Sequence, residues 1–103
     1  MQVDPLDALG NPVRRKILTH LRGSSLSVKE IAALFPVSRP AISRHLRVLS
    51  QSGLVESHGR GARHHYTINL KGFTPVREFI DDFWDTALAR LEALSKEKPS
   101  SKA

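Results

Sequence analysis

"VSRPAISRHLRVLSQSGLV", residues 37–55, carries two patterns at once. Ile42, Leu46 and Leu49, with Ala41 and Val48 beside them, recur at the spacing of one helical face and form its inward side. Around that stripe stand three arginines, a histidine and four serines, more polarity than a core-filling helix requires. Ser38 is placed to cap the helix, and Pro40 sits in its first turn, where a missing N–H costs nothing. Gly53 stands where a left-handed residue closes a helix.

The flanking segments place this helix in a larger unit. Ser27 with Glu30 three residues on forms a capping box, which predicts a short helix with Ile31, Leu34 and Phe35 as its buried stripe. "PVS" then turns sharply into the polar helix, and two short helices so joined are the pattern of a helix-turn-helix. Upstream, Asp4 and Pro5 open a helix through Leu9, "GNP" breaks it, and Asn11 and Pro12 start another with Val13, Ile17, Leu18 and Leu21 inward. Arg14, Arg15 and Lys16 fall on its outer side, either as contacts to a nucleic-acid backbone or as a solvated face. Downstream, "LVESH" and "HHYTINL" alternate around "GRGAR", which predicts a β-hairpin with a flexible basic tip.

Thr74 and Pro75 open a last helix to about Lys96. Its apolar residues, Val76, Phe79, Ile80, Phe83, Trp84, Ala87, Leu88, Leu91 and Leu94, keep the helical period over about six turns. They include three of the six aromatics, and one small domain cannot cover them all. The expected fold is therefore mainly α with a small β-hairpin, in the order α-α-α-α-β-β-α. A single domain is expected over residues 1–96, with a polar, disordered tail over 97–103.

Charge points to the partner. The 103 residues carry a net charge of +6, but residues 8–71 hold 11 Lys/Arg against only Glu30 and Glu56. A positive field concentrated in the middle of the chain is the footprint of a nucleic-acid binder. Cysteine is absent, which excludes disulfides, thiolate metal ligands and thiol redox chemistry. No apolar run approaches the roughly 18 residues of a membrane span, and "MQVDPLDALG" has no signal pattern, so no membrane partner is expected. No Gly-rich phosphate loop and no Ser-His-Asp arrangement is present, so an enzyme is not expected.

In this order and spacing, "LGNPVRRKILTHL", "SVKEIAALFPVSRPAISRHLRVLSQSGLV" and "GRGARHHYTIN" resemble the second helix, helix-turn-helix and wing of the ArsR/SmtB-type winged-helix transcriptional repressors, over residues 4–95. The resemblance implies a homodimer held by the first and last helices, bound to an imperfect palindrome in double-stranded operator DNA. It assigns Leu6, Leu9, Phe79, Ile80, Phe83, Trp84, Ala87, Leu88 and Leu91 to dimerisation. The missing cysteine, signal pattern and membrane span fit a bacterial cytoplasmic protein, and a DNA partner would make it nucleoid-associated.

A winged helix sets its recognition helix in the major groove, where base edges are distinguishable. Ser38, Arg39, Pro40, Ser43, Arg44, His45 and Arg47 are the candidate DNA-binding residues there, with Arg60 and Arg63 in the wing. Arg39 and Arg44 are able to make bidentate contacts to guanine, and for any one arginine a phosphate contact is the alternative. Ser43 permits close approach, Pro40 can touch a thymine methyl, and His45 is a structural or phosphate-contacting residue. Arg60 and Arg63 suit the adjacent minor groove or its phosphates.

Metal-sensing relatives place two cysteines where this chain has Ser27 and Lys29, and an Asp, His and Glu set on the last helix, where this chain has no histidine. Zinc favours imidazole or thiolate, so neither metal site is intact and no cofactor is expected. His64 and His65 are adjacent on a strand and face opposite sides, so they cannot chelate together. Two other readings stay open: a repressor sensing an organic ligand or unusual metal at the dimer interface, the effector being unknown, and a winged helix used for protein–protein contact.

Overall fold

The structure, a computed structural model, describes residues 2–97. Its elements are α1 (Pro5–Ala8), α2 (Pro12–Leu21), β1 (Leu26–Ser27), α3 (Val28–Ala32), α4 (Arg39–Gln51), β2 (Val55–His58), β3 (His65–Ile68) and α5 (Thr74–Glu97). Single 3₁₀ turns occupy Gly61–Arg63 and Leu70–Phe73. Except for Glu97, the tail read as disordered lies outside the described residues.

Local chemistry accounts for each helix start. The Asp4 carboxylate accepts from the Leu6 N–H at 2.8 Å, and the Asn11 side chain accepts from Val13 and Arg14. Ser27 and Glu30 close a reciprocal cap, Ser27 N–H donating to the Glu30 carboxylate at 2.8 Å and Glu30 N–H to the Ser27 hydroxyl at 3.1 Å. Ser38 accepts from Ala41 at 3.2 Å, with Pro40 in the first turn. At the other end of α4, Gly53 adopts φ +83°. Leu54 N–H then reaches the Leu49 carbonyl and Gly53 N–H the Ser50 carbonyl, a Schellman closure that aims the chain into β2. A side chain on Gly72 would run into the Gly53 carbonyl, so this corner is built on two glycines.

The core gathers Ile17, Leu18 and Leu21 from α2, Ile31 from α3, and Ile42, Leu46 and Leu49 from α4, closed by Ala8, Leu54, Val55 and Val76. α3 ends earlier than expected. Leu34 and Phe35 donate to Ile31 and Ala32 in tight i→i+3 turns, and Pro36 follows. Leu34 is consequently 49% exposed rather than buried, while Phe35 is half-buried with its ring edge-on to His20.

The expected hairpin is present, with β2 antiparallel to β3 and Val55 opposite Ile68. The two-residue β1 adds a strand on the other edge, Leu26 opposite Tyr66 and Ser27 opposite His65, giving the order β1-β3-β2. β1 leads directly into α3, so the start of the helix-turn-helix is tied to the wing strand. The tip is a defined 3₁₀ turn rather than an open loop.

α5 leaves the body after its first turn. Val76 is 8% exposed, but Phe83 and Leu91 are each 60% exposed. The radius of gyration is 18.4 Å, against about 13 Å for a compact domain of 100 residues. Among the described residues, no helix is long and apolar enough to cross a membrane.

Candidate nucleic-acid interface

Helical geometry divides the surface of α4 into three strips. Ile42, Leu46 and Leu49 face the core with no exposure. Opposite them, Pro40, Arg44 and Arg47 project outward and are exposed. At about 100° per residue, Arg44 and Arg47 lie about 60° apart on this face. Arg39 lies about 140° round from Arg44, on the flank that borders α3 and the wing. Ser43, exposed, lies between the two, and Ser38 is exposed at the entry to the helix.

His45 occupies the opposite flank and is half-buried. The Arg14 guanidinium approaches its Nδ1 at 3.3 Å. Guanidinium has no acceptor, so the imidazole accepts here and carries its proton on Nε2. Burial, then the positive charges of Arg14 and Arg44, hold the His45 pKa below its ordinary value. Arg14 also donates from Nε to the Ala8 carbonyl at 2.7 Å, and Arg15 donates to the Leu9 carbonyl at 2.6 Å. These two arginines satisfy carbonyls that the four-residue α1 leaves open at its end. Arg14 is thus neither a surface contact nor part of a solvated face: it joins α1 to α4. Nothing local in the sequence signals this, because its partner is 31 positions away.

In the wing, Gly59 has φ +86°, and a side chain there would meet the Arg63 carbonyl. The reversal it allows sets Arg60 and Arg63 at an exposed tip. Behind the tip, the His64 ring lies against Tyr66 with centroids 5.0 Å apart. His64, His65 and Tyr66 are all half-buried, and Tyr66 packs on the core. His58 hydrogen-bonds the Thr67 hydroxyl at 3.1 Å and His65 donates from Nδ1 to the Arg63 carbonyl at 2.7 Å. Among the described residues, no three His, Asp or Glu side chains gather as a metal site.

The residues expected to dimerise separate into two groups. Leu6 and Leu9 are half-buried against the core. Phe79, Ile80, Phe83, Trp84, Leu88 and Leu91 are exposed along α5, and Ala87 is half-buried. The Phe83 and Trp84 rings stack with centroids 6.5 Å apart.

Residues 9–58 match a helix-turn-helix domain family. The chain is 41% identical to the HTH-type transcriptional regulator Rv2034 of Mycobacterium tuberculosis, over 79% of this chain and 76% of that protein. It is 39% identical to the transcriptional repressor SdpR of Bacillus subtilis, over 60% of this chain and 69% of that one. A crystal structure of a possible transcriptional regulator for arsenical resistance superposes with a TM-score of 0.76 at 38% identity, covering 88% of this chain and 95% of that one.

Proposed function

The chain belongs to the ArsR/SmtB family of helix-turn-helix transcriptional regulators, and from that premise we propose that it is a homodimeric repressor of a palindromic operator. The observation that carries the reading is the division of α4. Ile42, Leu46 and Leu49 are wholly buried, while Arg44 and Arg47 stand on one exposed face with no hydrogen bond or ion pair to protein among the described residues. On this reading that face enters the major groove, and Arg60 and Arg63 of the wing reach the neighbouring minor groove or its phosphates. Ser38, Pro40 and Ser43 allow close approach, and His45 acts through its fixed place on the flank rather than by reading bases.

The exposed row from Phe79 to Leu94 supports the dimer. Monomers seldom expose an apolar surface of this length, and a second copy of α5 would cover it. Repression is supported by the likeness to a protein named a transcriptional repressor. The partner being genomic DNA, the working place of the protein is the bacterial cytoplasm, on the nucleoid. A second reading places an organic effector against this same apolar face of α5, at Phe83, Ala87, Leu91 and Leu94 with Thr86 and Arg90 beside them.

Selection of duplexes from a random pool tests the proposal. The expected product is a palindrome with half-sites about one helical turn apart, bound by two protomers. Replacing Arg39 and Arg44 together with alanine is expected to abolish that binding. A pool that never enriches would sink the DNA reading, and full retention of binding in the double variant would move the contact surface elsewhere.

A further inference from the structure

The flank of α4 that carries Arg39 borders a hollow of about 180 Å³, lined by Ser27, Val28, Lys29, Arg39, Gly61 and His64. We propose that this hollow is a phosphate seat, taking one phosphodiester group of the duplex backbone between the start of α3, the start of α4 and the wing. The inference rests on the DNA-binding reading and deepens it, because it separates positioning residues from base-reading ones.

Three features argue for an anion of this size. Lys29 and Arg39 bring two cations to the lining from two different elements, and no acidic side chain lines it. Neither cation makes a hydrogen bond or ion pair to protein among the described residues. Glu30, next to Lys29 in the sequence, is turned back on the Ser27 N–H, and that bond, the largest cause, holds its pKa below the ordinary value. The Ser27 hydroxyl accepts from the Glu30 N–H, which leaves its own proton free to donate into the hollow. His64, half-buried against Tyr66, supplies a further ring nitrogen on the wing side.

Position decides the ligand. The hollow lies beside the outward face of α4, about 140° round the helix from Arg44, too far for Arg39 to share a base edge with it. A backbone phosphate passing there would be gripped by the helix-turn-helix and the wing together, setting how deeply α4 enters the groove. β1 makes that grip rigid, since Ser27 is paired with His65 across the sheet. Arg39 and Lys29 then fix register, and sequence is left to Arg44 and Arg47.

The test is salt-dependent binding of the full chain to two duplexes, the selected operator and a scrambled sequence. Lys29→Ala and Arg39→Ala should each weaken both complexes by the same factor, and each should lower the slope of log affinity against log salt by about one. Their melting temperatures should match the parent, because both side chains are exposed. Arg44→Ala should instead weaken the operator complex selectively. An unchanged slope in Lys29→Ala, or a loss confined to the operator in Arg39→Ala, overturns the phosphate seat. So does inorganic phosphate that competes at constant ionic strength with parent and not with Lys29→Ala while the slopes stay equal, since the hollow would then hold a free anion. Failure of the parent itself to bind either duplex would overturn the DNA reading as a whole, an outcome distinct from these.

Discussion

α4 and α5 are both amphipathic, and they spend their apolar faces differently. In α4, Ile42, Leu46 and Leu49 have no exposure and the polar side carries the arginines. In α5, of 24 residues, the same kind of stripe begins in the core at Val76 and then runs into solvent, with Phe83 and Leu91 each 60% exposed. Periodicity tells a helix which side is apolar, and says nothing about which molecule will cover it. α4 is covered by its own chain because α2 and α3 converge on it. α5 extends beyond any element able to do so, which leaves its stripe exposed on the protomer and leaves the stability of the protomer to the other helices.

The largest expected effect tests that division directly. Leu46→Ala removes a fully buried side chain and should lower unfolding free energy by about 2–5 kcal/mol, whatever the protein concentration. Phe83→Ala with Leu91→Ala should cost the isolated protomer within about 0.5 kcal/mol each, as exposed substitutions do. The double variant should instead lose the dependence of melting temperature on protein concentration that an associating chain shows. Denaturant melts over a range of protein concentration, alongside sedimentation, read both quantities. If the α5 variant unfolds as badly as Leu46→Ala at every concentration, the two faces are not different in kind.

A smaller effect sharpens the comparison at the junction between the helices. Arg14 fastens α1 to α4 through the Ala8 carbonyl and His45. Arg14→Met keeps most of the side-chain stem and removes the donors, so a half-buried carbonyl and an imidazole nitrogen lose their partner. The expected cost is about 1–3 kcal/mol. On the proposed DNA-binding reading, affinity for the duplex should fall as well, because α4 loses the strut on one flank while its outward arginines are untouched. Equal stability in Arg14→Met and parent would return Arg14 to the solvated face.

The caps were legible because each works within three or four residues: Asn11, the Ser27–Glu30 pair, Ser38 and Gly53 all act where the sequence places them. The buried stripe of α4 and the outward placing of Arg44 and Arg47 follow from the helical period alone. Three features were not legible, each for want of a local signal. β1 has two residues and exists only because Leu26 and Ser27 meet Tyr66 and His65, far along the chain. Leu34 keeps the helical spacing, yet the helix stops before it. The hollow at Lys29, Arg39 and His64 assembles three segments, and the sequence pattern ranked Arg39 with Arg44 because both are arginines on one helix.

The smallest effect concerns His45, the point where α4 meets the rest of the body. Its pKa lies below the ordinary 6.5, lowered first by burial and then by Arg14 and Arg44. The unfolded chain therefore binds a proton at a pH where the folded chain does not. The stabilisation from neutral His45 is fully present above about pH 6.5 and is lost as pH falls through the window beneath it. Protonation would set imidazolium against the Arg14 guanidinium and remove the acceptor. Glu30 also sits below its ordinary value of 4.5, so its contribution is lost in a lower window and does not confuse the measurement at pH 5.5. His45→Gln retains an acceptor and abolishes the titration. Denaturant melts at pH 7.5 and 5.5 should show the parent losing more stability than His45→Gln across that interval. Equal losses in the two proteins would mean that neither burial nor the neighbouring arginines lower the His45 pKa in the folded state.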